Sequence, residues 1–257
     1  MNVDPLAEPI LSEGDSTSPR GRIGVLLCHG FTGSPVSMKR WAQHLSEQGY
    51  AVSVPLLPGH GTSWQDLNTT TWDDWRAEVQ RAFEALHARV DHLFVGGLSM
   101  GGGLALRLTA DLPDQVSGLV LVNPAVGTNR LDVKLLPVLK HVIASLPGIG
   151  NDIKKSGVEE HGYDRTPLRA AHSMLRGYRQ LRGDLGRITC PVLIYRSVVD
   201  HVVDPSSARV IVAGVGSSDI RVETLANSYH VATLDNDADT ISEGSAAFIE
   251  RVARAAV

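Results

Sequence analysis

Nothing in this 257-residue chain approaches the run of about 20 apolar residues that a helix needs to cross a bilayer, so a membrane-spanning helix is excluded. Cysteine is scarce as well. Cys28 and Cys190 each fall inside a strand-like apolar run, which reads as two reduced, buried small hydrophobes rather than a disulfide framework. Blocks of like charge are missing: the formal net charge is -4 and the 24 Lys and Arg residues are scattered, which argues against nucleic acid as a partner. The stretch before Arg22 carries Asp4, Glu8, Glu13 and Asp15 among its prolines and has no apolar core. It cannot act as a secretory signal, so cytoplasmic residence is expected and the sequon Asn68-Thr69-Thr70 carries no meaning. The pairs Cys28-His29 and Asp200-His201 lack the spacing of a zinc site, and no Gly-x-Gly-x-x-Gly follows the first strand. No metal and no cofactor is implied.

What is present is the balance of a globular protein, with 43% hydrophobic and 20% charged residues. The length suits one full-sized α/β domain, with or without an insertion. Ile23 to Cys28 is an unbroken apolar run of the kind that parallel sheets bury on both faces. A helix to about Gln48, closed by Gly49, leads to a second strand over Tyr50 to Val54. A helix opening at Thr71-Trp72-Asp73-Asp74 and running to about Arg89 precedes a third strand, and Gly118 to Val122 forms a fourth. One short edge strand is expected near Pro9-Ile10-Leu11. The alternation of strand and helix predicts a mostly parallel sheet with helices on both faces.

Between Pro124 and about Arg187 that alternation stops, which predicts an insertion over residues 124–187 on a core made of 1–123 and 188–257. Its first part, Leu131 to Leu146, is expected to be a helix with Leu135, Val138, Leu139, Val142 and Leu146 on one face. That face would pack on the parent domain, or roof an apolar pocket as a lid. Strands resume at Cys190 to Tyr195 and Ile220 to Leu225, a helix starts at Ser206, and a last helix covers about Thr240 to Ala255.

The chemistry gathers where strands end, as ligands do in open parallel sheets. Gly97-Leu98-Ser99-Met100-Gly101 is a Gly-x-Ser-x-Gly turn between a strand and a helix, in which the glycines allow a sharp bend and expose the serine. Alone, such a pentapeptide could equally be a helix cap. A serine becomes a nucleophile when a base takes its proton and an acid orients that base. His230 is the one histidine after the last strand, whereas His29 and His60 precede the serine and look like loop-shaping residues. Asp200 lies nearest a strand end, with Asp204 and Asp235 as alternatives for the acid. The order serine, acid, histidine is that of an α/β-hydrolase. Backbone N–H groups of Met100 and of Phe31 are the candidate oxyanion donors, with the Phe31 side chain as a wall of an acyl pocket.

With these residues in view the chain resembles the α/β-hydrolase family, and within it the bacterial monoacylglycerol lipases and related small carboxylesterases. The resemblance rests on His29-Gly30-Phe31-Thr32-Gly33, Gly97 to Gly102, Asp200-His201-Val202-Val203, Asn227 to Asp235, and Gly150-Asn151-Asp152-Ile153 followed by Glu160 and Tyr163. It implies an α/β-hydrolase fold with a helical cap insertion, Ser99, Asp200 and His230 as triad, and Phe31 and Met100 as oxyanion donors. It also implies that Glu160, or alternatively Glu159, binds glycerol hydroxyls. The implied activity is hydrolysis of a monoacylglycerol through an acyl-enzyme. Alternatives are a broad carboxylesterase of short-to-medium-chain esters and a ligand-binding module with a silent triad. The implied partner is a small lipid ester, with transient lipid-interface contact through the cap, and the protein is a monomer or homodimer.

Overall fold

The computed structural model describes residues 3–128 and 135–255. Strand β1 (Ile10–Ser12) is the short edge expected near Pro9. Strand β2 (Ile23–Cys28) leads through a 3-10 turn at Pro35–Met38 into α1 (Lys39–Glu47) and β3 (Ala51–Val54). Two helices follow, α2 (Trp64–Leu67) and α3 (Trp72–His87). At the start of α3 the Thr71 N–H donates to Asp74 Oδ2 (2.8 Å), satisfying a terminal donor from within the first turn. Then come β4 (His92–Leu98), α4 (Met100–Asp111) and β5 (Gly118–Val122).

The seven-stranded sheet has the order β1-β3-β2-β4-β5, continued by β8 (Val192–Ser197) and β9 (Ile220–Leu225). Only β1 runs antiparallel to its neighbour; the other pairs are parallel. The unbroken apolar strands follow from burial on both faces. In β2, Val25 and Leu27 join one apolar cluster while Leu26 and Cys28 join the other. In β5 Leu119 and Leu121 divide from Val120 and Val122 in the same way. One cluster is closed by α3, α4 and α6 (Leu168–Asp184), the other by α1 and α8 (Ala238–Ala255). Helix α7 (Ser206–Gly214) connects β8 to β9. Both thiols are free and buried, and burial pushes Cys28 and Cys190 up to about 12.

The segment between β5 and β8 departs from the expected helix over Leu131 to Leu146. Leu131 lies outside the described residues. Within them the only α-helical turn of that stretch is α5 (Leu136–Leu139), and Ser145–Pro147 forms β6, which pairs antiparallel with β7 (Arg165–Pro167). Pro137, lacking an N–H, suits the first turn of a short helix, and the chain leaves the helix after Lys140. The expected apolar face is correspondingly absent. Leu136 is buried and Leu139 partly so, while Leu135, Val138 and Val142 are 62%, 68% and 81% exposed. Among the described residues no helix is long and apolar enough to cross a membrane.

Candidate active site

The turn after β4 packs so closely that three glycines are required. A Cβ at Gly97 would overlap the Gly101 carbonyl, one at Gly101 would overlap the Cys28 carbonyl, and one at Gly102 would stand 2.9 Å from Pro124 Cβ. Between them Ser99 adopts φ 56° and ψ -118°, a conformation that costs a non-glycine residue of order 1–3 kcal/mol. Its neighbours hold it there: the Ser99 N–H donates to Val122 O (3.0 Å), and its carbonyl accepts from Gly103 N (3.2 Å) and Ala125 N (3.0 Å). Met100 opens α4, so its N–H belongs to the first helical turn, whose donors have no partner within the helix. The loop after β2 lies against the turn, since a Cβ at Gly30 would meet Ser99 Cβ at 3.6 Å. The half-buried Phe31 ring packs on Trp75 (centroids 5.8 Å apart) and on the cluster of Leu136, Leu139, Leu168, Ala171 and Leu175.

Asp200 and His230 meet past the ends of β8 and β9. His230 Nδ1 and Asp200 Oδ2 are 2.9 Å apart, and both side chains are 8% exposed. Asp200 Oδ1 also accepts the Val202 and Val203 N–H groups (2.9 and 2.8 Å). Burial acts to raise this carboxyl, but the His230 hydrogen bond, the His230 charge and the two amides outweigh it and hold Asp200 below its ordinary 3.8. The loop carrying His230 is fastened to the strand end that holds the serine. Asn123 follows β5, whose last residue binds the Ser99 N–H, and Asn123 Nδ2 donates to the His230 carbonyl (2.8 Å) and to Ser197 Oγ (2.9 Å).

The rival acids are occupied elsewhere. Asp204 Oδ1 accepts the Ser206 N–H (2.7 Å) at the start of α7. The fully buried Asp235 accepts four backbone N–H groups, from Lys154, Lys155, Tyr229 and Asn236. The rival histidines are structural. His29 Nδ1–H donates to Gly30 O (2.9 Å) while its Nε2 accepts from Leu57 N (3.2 Å), which requires the neutral ring. Burial pushes His29 down to about 4, against a smaller raising effect of the Gly30 carbonyl, and burial lowers His60 well below its ordinary value too.

Glu160 is half-buried and Glu159 exposed. A Cβ at Gly33 would stand 2.6 Å from Glu160 Oε1, so this carboxyl faces the loop that carries Phe31. Burial raises Glu160 from 4.5 to about 7, with the His230 charge opposing and Asp152 adding. Because the folded state favours the neutral acid, the stability this group contributes is complete below about 4.5 and declines as pH rises to about 7. Glu160→Gln, a permanently neutral replacement, is therefore expected to raise the thermal midpoint over wild type at pH 8 more than at pH 5. Equal differences at the two values would contradict the assigned environment. Two residues that the sequence placed only in the resembling stretch, without a role, also bond to the loops around the site. Tyr163 accepts the Thr62 N–H (2.8 Å) and donates to Gly59 O (3.1 Å), and Asp152 binds both loops of the His230–Asp200 pair.

A strained serine on a strand-to-helix turn, a buried carboxylate–imidazole pair at neighbouring strand ends and a mostly parallel sheet define a serine hydrolase of the α/β-hydrolase class. The family model described as serine aminopeptidase, S33, matches residues 19–237, and the chain belongs to that family. It is 40% identical over 250 residues to a thermostable monoacylglycerol lipase of Bacillus sp. (strain H-257), covering 95% of each chain. It is 26% identical over 233 residues to a carboxylesterase of Bacillus subtilis (strain 168), covering 90% of this chain and 94% of the relative. A solved structure from work on LipS and LipT, two metagenome-derived lipolytic enzymes, superposes with TM-score 0.92 at 42% identity, over 97% of this chain and 100% of its own.

Proposed function

We propose that the chain hydrolyses the ester of monoacylglycerols to glycerol and a free fatty acid, with Ser99 as nucleophile, His230 as general base and Asp200 as its orienting acid. The observation that carries this reading is the 2.9 Å His230–Asp200 pair, tied through Asn123 to the strand end that holds a serine at φ 56°. In this reading His230 Nε2 takes the Ser99 proton as Oγ attacks the ester carbonyl, and the Met100 and Phe31 N–H groups receive the oxyanion. Collapse breaks the bond to the glycerol oxygen, which leaves with the proton from the imidazolium. Water then attacks the acyl-enzyme through the same base, releasing the fatty acid and restoring Ser99. Asp200 stays ionised throughout, which its depressed pKa supports.

The choice of substrate is supported by the relative that shares 40% identity and is named a monoacylglycerol lipase. We assign residues 124–187 as the cap. The apolar cluster of Phe31, Leu136, Leu139 and Leu168 suits an acyl chain, and the Glu160 carboxyl suits a glycerol hydroxyl. Exposed Leu135, Val138, Val142 and Ile149 favour transient contact with a lipid interface. Free, buried thiols suit the cytoplasm. A broad carboxylesterase is the second reading, favoured by the relative of that name. A panel of mono-, di- and triacylglycerols and p-nitrophenyl esters separates the two. Glu160→Ala is expected to lower the preference for a monoacylglycerol over the p-nitrophenyl ester of the same acid by roughly tenfold, the value of one hydrogen bond to an ionisable group. An unchanged preference would refute that contact.

A further inference from the structure

Asp152 lies in the proposed cap, yet the partners of its carboxylate all belong to the loops that carry Asp200 and His230. It is 8% exposed. Oδ2 accepts the His230 N–H (3.1 Å) and the His201 N–H (3.2 Å), and Oδ1 is 2.8 Å from His201 Nδ1. Its own carbonyl accepts the Val231 N–H (3.1 Å). His201 directly follows Asp200, so a single carboxylate joins the two backbone segments whose separation sets the His230–Asp200 hydrogen bond.

We propose that Asp152 is a positioning residue for the reaction, tying the register of the base and its acid partner to the seating of the cap. The proposal rests on the reading of Ser99, Asp200 and His230 as a triad. Without the carboxylate, the buried His230 N–H and the part-buried His201 N–H lose their acceptor, and the His230 loop must shift to find another. A shift of about 1 Å in a catalytic base can cost up to about a hundredfold in rate. Asp235 also joins the proposed cap to the His230 loop, through the amides of Lys154, Lys155 and Tyr229, but among the described residues it makes no hydrogen bond to the backbone next to Asp200.

The test uses Asp152→Ala and Asp152→Asn, with p-nitrophenyl butyrate as substrate and turnover counted per site titrated by a fluorophosphonate. Asp152→Ala is expected to lower kcat per titrated site about tenfold or more, with KM within about twofold. Asp152→Asn is expected to restore kcat to within about threefold, because the amide oxygen can accept both backbone N–H groups while Nδ2 donates to His201 Nδ1. A merely structural clamp would reduce the number of titratable sites and leave kcat per site unchanged, which overturns the proposal. Equal losses in the two variants also overturn it. Should Asp152→Ala yield no folded protein, His201→Phe decides: that side chain is 52% exposed, and the substitution removes the bond to Oδ1 while keeping a ring beside Tyr229, whose centroid lies 4.8 Å from that of His201. A fall of about threefold in kcat per site at constant KM supports positioning, and an unchanged kcat overturns it. Failure of the wild type to label or turn over would instead sink the triad reading.

Discussion

Ser99→Ala is expected to lower turnover of both p-nitrophenyl butyrate and monoolein by at least roughly ten-thousand-fold and to abolish fluorophosphonate labelling. The substitution removes one oxygen and leaves intact the backbone bonds to Val122, Gly103 and Ala125 that hold the turn. Alanine meets the same backbone strain at φ 56° as serine does, so the thermal midpoint should move little. A large loss of activity in a folded variant thus isolates the hydroxyl. The proposed oxyanion donors remain, and whatever rate survives measures their contribution. Retained monoolein hydrolysis would place the nucleophile elsewhere. A wild-type protein that binds lipid esters but fails to label would point to a binding module on the same fold.

The candidate site is legible in the sequence because it depends on local necessities. Gly97 and Gly101 are dictated by a backbone approach that leaves no room for a Cβ, so the motif records a steric fact. The pairing of Asp200 with His230 is legible because strands buried on both faces read as apolar runs, and their ends can be located without knowing any contact. The same logic separated His29 and His60 from His230, and the hydrogen bonds of His29 explain the distinction. The insertion between β5 and β8 was less legible. Apolar residues at helical spacing from Leu135 to Leu146 imitate an amphipathic helix, yet Ser145–Pro147 pairs with Arg165–Pro167, a contact set by distant residues that periodicity cannot register. Asp152 stands in the stretch that carries the resemblance, but no role could be read for it, for a related reason. Its partners are the backbone of His201 and His230, and a backbone donor leaves no mark in the sequence.

Asp200→Asn is expected to lower kcat about ten-thousand-fold at neutral pH, nearly as much as loss of the nucleophile, while leaving the site's shape unchanged. The amide oxygen can keep the Val202 and Val203 N–H bonds now made by Oδ1, which turns Nδ2 toward His230 Nδ1. Two N–H donors cannot face each other, so the imidazole must carry its proton on Nε2, the atom that receives the Ser99 proton in the proposed mechanism. Stability supplies an independent reading. Because Asp200 is held below its ordinary 3.8, its contribution is complete above 3.8 and is lost as pH falls through the lower folded value. The difference in thermal midpoint between wild type and Asp200→Asn should therefore shrink on acidification below 3.8. Asp204→Asn, which alters a side chain that binds the start of α7, should leave kcat within about twofold. A collapse of activity in Asp204→Asn with Asp200→Asn unaffected would transfer the acid's role and require the His230 loop to reorganise during catalysis.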